Sequence, residues 1–174
     1  AAFGFINGAL IAKFNMFPFV VTLSTQLVIR GIGYIICDGE TKTLANKAFR
    51  QIGLGKLGGF LPYSILILLV VAVVAYILLH WTKFGRHIYA VGGNMNAAIA
   101  SGVKVFWTRT LSFVWMGICT AIGGVILTSR INAAQPNIGV GYETDAIAAC
   151  VIGGTSFAGG VATIPGTMIG IAII

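Results

Sequence analysis

One stretch limits what this chain can become. From Pro62 to Trp81 it reads PYSILILLVVAVVAYILLHW, twenty residues without a Lys, Arg, Asp or Glu. At about 1.5 Å rise per residue such a helix covers roughly 30 Å, the thickness of a bilayer's hydrocarbon core. Only a helix or a closed barrel satisfies its own backbone at that depth. The run therefore predicts a transmembrane helix, with Pro62 in its first turn, where the missing N–H costs nothing. Tyr63 and Trp81 fall at its two ends, as interfacial aromatics do.

The rest of the chain agrees. Charged residues make up 9%, against about 25% in soluble domains, and the 57% that are hydrophobic come in long blocks. Too few polar groups remain to cover a water-soluble surface. A second clean span runs from Thr110 to Ser129, where Gly117, Gly123 and Gly124 allow close helix approach. A third runs from Phe17 to Cys37 and carries Thr22, Ser24, Thr25, Gln26 and Arg30. An arginine at mid-depth costs about 2.5–3.5 kcal/mol, so this helix should turn its polar side to protein or water. Residues 1–12 read as part of an earlier span closed by Lys13 and Asn15. Residues 146–160, with glycine at 153, 154, 159 and 160, are too short and glycine-rich for an ordinary span. They predict a broken or re-entrant helix, and a further apolar stretch, interrupted by Pro165 and Gly166, starts at 161. All of it belongs to one all-helical membrane domain.

The chain opens on Ala1 and stops inside an apolar run, and no secretory signal pattern is visible, so it reads as the central part of a longer membrane protein. Cys37, Cys119 and Cys150 are too scattered for a metal site or a disulfide framework and read as small buried hydrophobes. The net charge of +7 would suggest nucleic acid in a soluble protein. Here Lys83, Arg86, Lys104 and Arg109 fall in the loop 82–109, which has no acid, and mark it as cytoplasmic. The segment 130–145 carries Glu143 and Asp145 and falls outside. So does the loop 38–61, although Lys42, Lys47, Arg50 and Lys56 there run against the rule.

Nothing in the chain reads as catalytic or metal-binding. There is no G-x-x-x-x-G-K-[ST] phosphate loop. Gly53, Gly55 and Gly58 spell G-x-G-x-x-G, but a membrane span follows instead of a βαβ unit, so they form a glycine-rich external loop. His80 and His87 read as interfacial. Glu143 and Asp145 precede the broken helix and suit a helix N-terminus, with a contact to an arriving partner or to sugar hydroxyls as the alternative. Arg30 reads as structural or gating. Thr22, Ser24, Thr25 and Gln26 are better candidates for lining a path for an uncharged polyol. The loop 82–109 is too long for a simple connection: Asn94 is placed to cap a short helix through Ala97, Ala98 and Ser101, which Gly102 terminates. A docking surface for another protein and an ordinary basic loop on lipid head groups are both open readings of it.

The runs Phe84-Gly85-Arg86, Tyr89-Ala90-Val91-Gly92-Gly93-Asn94, Ala97-Ala98 and Ser101-Gly102 resemble the permease subunits of ribose- and galactoside-type ABC importers. Two further runs look like signatures of the same family: Gly141 to Ala149 with Gly153 to Gly160, and Phe19 to Leu23 with Arg30-Gly31. The resemblance implies a bacterial cytoplasmic-membrane protein of many spans that pairs with a second permease subunit, as a homodimer. Two ATPase subunits holding ATP and Mg would drive it, and an extracytoplasmic sugar-binding protein would feed it. This chain itself would hold no cofactor. The resemblance makes Gly92, Gly93, Asn94, Ala97, Ala98, Ser101 and Gly102 the loop that docks on the ATPase. Glu143, Asp145, Gly153 and Gly154 become a candidate gate or binding-protein contact.

The expected function is import of a monosaccharide by alternating access, with no covalent chemistry on this subunit. The same architecture importing branched-chain amino acids, nucleosides or a furanone is the nearest alternative. An ion-coupled secondary transporter would need acids inside the spans, and Asp38, Glu40, Glu143 and Asp145 all lie outside the clean ones.

Overall fold

The computed structural model describes residues 1–44, 47–57 and 61–174. In chain order its elements are α1 (Ala2–Phe14), α2 (Pro18–Cys37), β1 (Lys42–Thr43), α3 (Lys47–Leu54), β2 (Lys56–Leu57), β3 (Leu61–Pro62), α4 (Tyr63–Trp81), α5 (Lys83–Gly93), α6 (Met95–Ala100), α7 (Val105–Ile131), β4 (Ala133–Ala134), α8 (Tyr142–Ile152) and α9 (Ile164–Ile173). Among the described residues α2, α4 and α7 are long and apolar enough to cross a membrane. Leu, Ile and Val side chains stand exposed along α4, which buries no residue at all. A helix that is apolar all round belongs in lipid or against other membrane helices. The fold is an all-α membrane bundle.

The chain divides into two compact units, residues 1–71 with 110–138, and residues 72–109 with 139–174. In the first, α1 packs on α7 through backbone. A Cβ on Gly4 would strike the Phe113 carbonyl, and one on Gly8 would lie 2.7 Å from the Thr110 Cα. This Gly-x-x-x-Gly face brings two helices together at van der Waals distance, the device that replaces hydrophobic driving force inside a membrane. α1 also meets α2, where the Thr25 hydroxyl donates to Asn7 Oδ1 at 2.6 Å. At the far end of α2, Asp38 and Gly39 close the helix in left-handed conformation and donate to the carbonyls of Ile35 and Tyr34. Beyond it β1 pairs antiparallel with β4, Lys42 opposite Ala134. Tyr34 Oη donates to Asn137 Oδ1 at 2.5 Å. Ser129, fully buried, accepts from the Gly53 N–H at 2.8 Å and donates to the Phe49 carbonyl, fastening α3 to the end of α7. The described residues of 38–57 are thus tied to 129–138 by strand pairing and by the Ser129 hydrogen bonds.

In the second unit, α5 follows α4 through Thr82, whose hydroxyl caps α5 by accepting from the Gly85 N–H. His80 stacks on Tyr76 with ring centroids 4.4 Å apart and meets Tyr89 of α5 edge-on at 6.5 Å. α8 and α9 form an antiparallel hairpin. A Cβ on Gly153 would fall 2.5 Å from the Gly166 carbonyl, and one on Gly170 would strike the Ala149 carbonyl.

Several bounds differ from the sequence expectation. Pro62 lies in β3, paired with Lys56, and α4 starts at Tyr63. α7 begins at Val105, five residues before the apolar run, because Lys104 and Arg109 end a hydrophobic pattern without ending a backbone ladder. α8 starts at Tyr142, since Glu143 and Asp145 suit its first turn. It ends at Ile152, and residues 153–163 are not helical, so the broken helix expected over 146–160 is helical in its first half and turn in its second. Pro165 falls in the first turn of α9 and interrupts nothing. The glycine-rich loop contains a helix, α3, in which Gly53 packs on Arg130; Gly58 lies outside the described residues. Cys37, Cys119 and Cys150 are free and half-buried, not fully enclosed.

Candidate functional site

Residues 82–104 fold into two short helices joined by a single residue. Asn94 ends α5, its N–H donating to the Ala90 carbonyl at 3.0 Å, and begins α6, its side chain accepting from the Ala97 N–H at 3.0 Å. At the other end of α6, Gly102 takes a φ of +78°. The Gly102 N–H then reaches the Ile99 carbonyl at 2.9 Å and the Val103 N–H the Ala98 carbonyl at 3.0 Å. That pair of bonds is a complete Schellman closure. Six residues are too few for a helix to persist on propensity; α6 stands because both ends are capped.

Its faces are unequal. Ala98 is 3% exposed, while Ala97, Ile99, Ala100 and Ser101 face outward, Ile99 at 52%. Arg109 reaches back from α7 to Met95 Sδ at 3.2 Å. The expected docking residues therefore separate into two groups: Ala97 and Ser101 are presented, and Ala98 is consumed by packing.

Gly92 and Gly93 lie in the last turn of α5, where they meet the turn that follows α8. A Cβ on Gly92 would sit 2.7 Å from the Gly160 N, and one on Gly160 would sit 2.9 Å from the Gly93 Cα. Tyr89 Oη donates to the Ala162 carbonyl at 2.7 Å. Burial pushes the Tyr89 phenol up from its ordinary value, so it stays protonated and keeps that donor. Sequence reading did not find Tyr89 as more than part of a motif, and no local pattern ties it to a residue 73 positions away.

On α2, the sheltered positions are Val21, Thr22, Thr25, Gln26, Arg30, Gly33 and Cys37. Three of the four expected lining residues, Thr22, Thr25 and Gln26, fall on this one face at helical spacing, together with Arg30. Ser24 is exposed on another face. Thr22 turns its hydroxyl back to the Pro18 and Phe19 carbonyls, and Thr25 meets Asn7, a partner the sequence did not suggest.

The four residues Glu143, Asp145, Gly153 and Gly154 do not come together. Glu143 and Asp145 stand exposed in the first turn of α8, where Glu143 Oε2 accepts from the Gly141 N–H at 3.1 Å. Gly153 and Gly154 close the other end, about 15 Å away along the axis. Gly153 packs against Gly166, and Gly154 takes a φ of +84° to stop the helix.

Comparison with known proteins gives a uniform picture. Residues 1–174 match the family described as "Branched-chain amino acid transport system / permease component". The ribose import permease protein of Bacillus subtilis is 44% identical over 170 residues, 97% of this chain and 52% of that protein. The L-arabinose ABC transporter permease protein of Azospirillum brasilense is 39% identical over 173 residues, 99% of this chain and 51% of that protein. The D-allose transport system permease protein of Escherichia coli is 38% identical over 173 residues, 99% and 53%. The chain thus spans about half the length of the curated relatives it matches. No solved structure matches it.

Proposed function

Because the chain belongs to the branched-chain amino acid transport system permease family, we propose that it forms part of the membrane-spanning subunit of an ATP-binding-cassette importer whose cargo is a monosaccharide. The observation that carries the reading is α6, a helix capped at both ends that offers Ala97, Ile99, Ala100 and Ser101 to a partner. It lies in the stretch between α4 and α7, which carries Lys83, Arg86 and Lys104, the basic signature of a cytoplasmic loop. Small side chains around one exposed isoleucine suit a shallow groove on an ATPase subunit.

The cargo reading is supported by the names of the relatives, which specify ribose, L-arabinose and D-allose. It is also supported by the sheltered face of α2, where Thr22, Thr25, Gln26 and Arg30 offer hydrogen-bonding groups suited to hydroxyls. The four acids stand at helix ends or just beyond them: Asp38 closes α2 with Glu40 two residues on, and Glu143 and Asp145 open α8. That placement suits energy from a partner's ATP and Mg better than ion coupling through intramembrane carboxylates.

In this reading a second copy of the subunit completes the pathway in the bacterial cytoplasmic membrane. A sugar-binding protein delivers cargo at the outer face, with Glu143 and Asp145 as its candidate contact, and ATP binding moves α6. Complementation tests it: the full-length subunit is returned to bacteria lacking their own ribose, arabinose, allose and leucine permeases. Restored growth on one of these sugars supports the proposal. Restored leucine uptake instead reassigns the cargo, and restoration of neither refutes it.

A further inference from the structure

Gly92 and Gly93 sit beside α6, yet the atoms they approach belong to this chain. We propose that the Tyr89–Gly92–Gly93 face of α5 and the Gly159–Gly160–Ala162 turn form an intramolecular joint that passes the displacement of α6 to the α8–α9 hairpin. This rests on the importer reading and assigns these residues a positioning role in it, not a contact with the ATPase.

Three observations meet at the joint. The first is contact without side chains. A Cβ on Gly92 would lie 2.7 Å from the Gly160 N, one on Gly159 would lie 2.7 Å from the Gly92 carbonyl oxygen, and one on Gly160 would lie 2.9 Å from the Gly93 Cα. Gly159 and Gly160 reach that position with φ of +89° and +77°, which L side chains rarely adopt. Backbone pressed on backbone has no rotamer through which to yield, so it transmits displacement. The second is a pin at each side. Tyr89 Oη holds the Ala162 carbonyl at 2.7 Å, and the Tyr89 ring meets His80 at the end of α4. The turn is also closed on itself, by Ser156 N–H to the Val161 carbonyl at 3.0 Å and Gly159 N–H to the Ser156 carbonyl at 3.1 Å.

The third is connectivity. Asn94 alone separates α5 from α6, serving as the end of one and the cap of the other. A force on α6 therefore bears directly on Gly93 and Gly92. On the receiving side, residues 153–163 join α8 to α9, and the Gly153–Gly166 and Ala149–Gly170 contacts lock those helices together. The hairpin would follow the turn as one body.

The joint makes an asymmetric prediction, because the Cβ direction of Gly93 meets open space while that of Gly92 meets Gly160. The experiment uses the full-length permease assembled with its ATPase and binding protein, and reads sugar transported per ATP hydrolysed together with ATPase co-purification. For Gly92→Ala the ratio should fall about tenfold, as for an overpacked contact, with the ATPase still bound. Gly93→Ala should lower the ratio by a clearly smaller factor than Gly92→Ala, because its Cβ enters open space. Tyr89→Phe, which keeps the ring and loses the donor, should lower the ratio about fivefold. It keeps the test decisive should Gly92→Ala fail to fold. Hydrogen exchange should show residues 156–163 responding to nucleotide in the original and not in Gly92→Ala.

Equal effects of Gly92→Ala and Gly93→Ala overturn the joint, as does normal coupling in both Gly92→Ala and Tyr89→Phe. Loss of the ATPase from Gly92→Ala makes Gly92 a docking contact and overturns it too. An unaltered complex that transports nothing with ATP strikes the importer reading itself, and the joint falls with it.

Discussion

Asn94→Ala should loosen α6 without disturbing the rest of the chain. Of the first amides of this six-residue helix, the Ala97 N–H is held by the Asn94 side chain at 3.0 Å, and the Ala98 N–H makes the first intrahelical bond, to the Asn94 carbonyl. Alanine keeps the carbonyl and removes the cap. Losing an Asn cap costs about 1 kcal/mol, which at RT near 0.6 kcal/mol is about fivefold in the opening equilibrium of the element it closes. The assay is hydrogen exchange on the detergent-solubilised full-length protein. The amides of residues 97–101 should exchange about fivefold faster, while those of α7 stay unchanged. Asn94→Asp should restore protection, because a carboxylate caps as well as an amide and complements the helix N-terminus. Unchanged exchange in Asn94→Ala would refute the idea that capping, rather than packing of Ala98, holds α6 in place.

Ser129→Ala strands the Gly53 N–H and the Phe49 carbonyl in a buried site, so thermal unfolding in detergent should report a loss of about 1–3 kcal/mol. Gly8→Leu drives a side chain into the Thr110 backbone of α7; the overpacking costs about 1–3 kcal/mol or more and should show as a reduced yield of folded, monodisperse protein. Ala97→Arg and Ala98→Arg should differ in kind. The first, at an exposed position, should release the ATPase from a normally folded permease. The second, at a position 3% exposed, should destabilise α6 itself.

The membrane helices were legible because their signal is local. An apolar run without ionised residues, such as Ser64 to Leu79, fixes both solvent and secondary structure from its own composition. The cap at Asn94 and the stop at Gly102 were legible for the same reason, each being a residue type matched to a backbone conformation. Bounds failed where charge was read as an end. Arg109 lies inside α7 with its guanidinium on Met95, and Glu143 lies inside α8 because negative charge belongs at that terminus. α5 was missed because three of its eleven residues are glycine, which lowers propensity but here allows close packing, and Thr82 caps it from a span that seemed to end at Trp81.

Partnerships across long separations were not legible at all. Nothing near Thr25 announces Asn7, nothing near Ser129 announces Phe49, and the glycines at 92 and 160 explain each other only once folded together. Glu143 and Asp145 are likewise parted from Gly153 and Gly154 in the fold. Nearness in a signature is not nearness in space when an 11-residue helix lies between.

The central claim is that this chain works in an ATP-driven monosaccharide importer, and uptake tests it most directly. Vesicles would carry the full-length subunit with its ATPase and binding protein, and take up labelled ribose, arabinose, allose and leucine with and without ATP. The account predicts that one of the sugars accumulates only when ATP is present. Accumulation of a sugar without ATP, or of leucine alone, would contradict it.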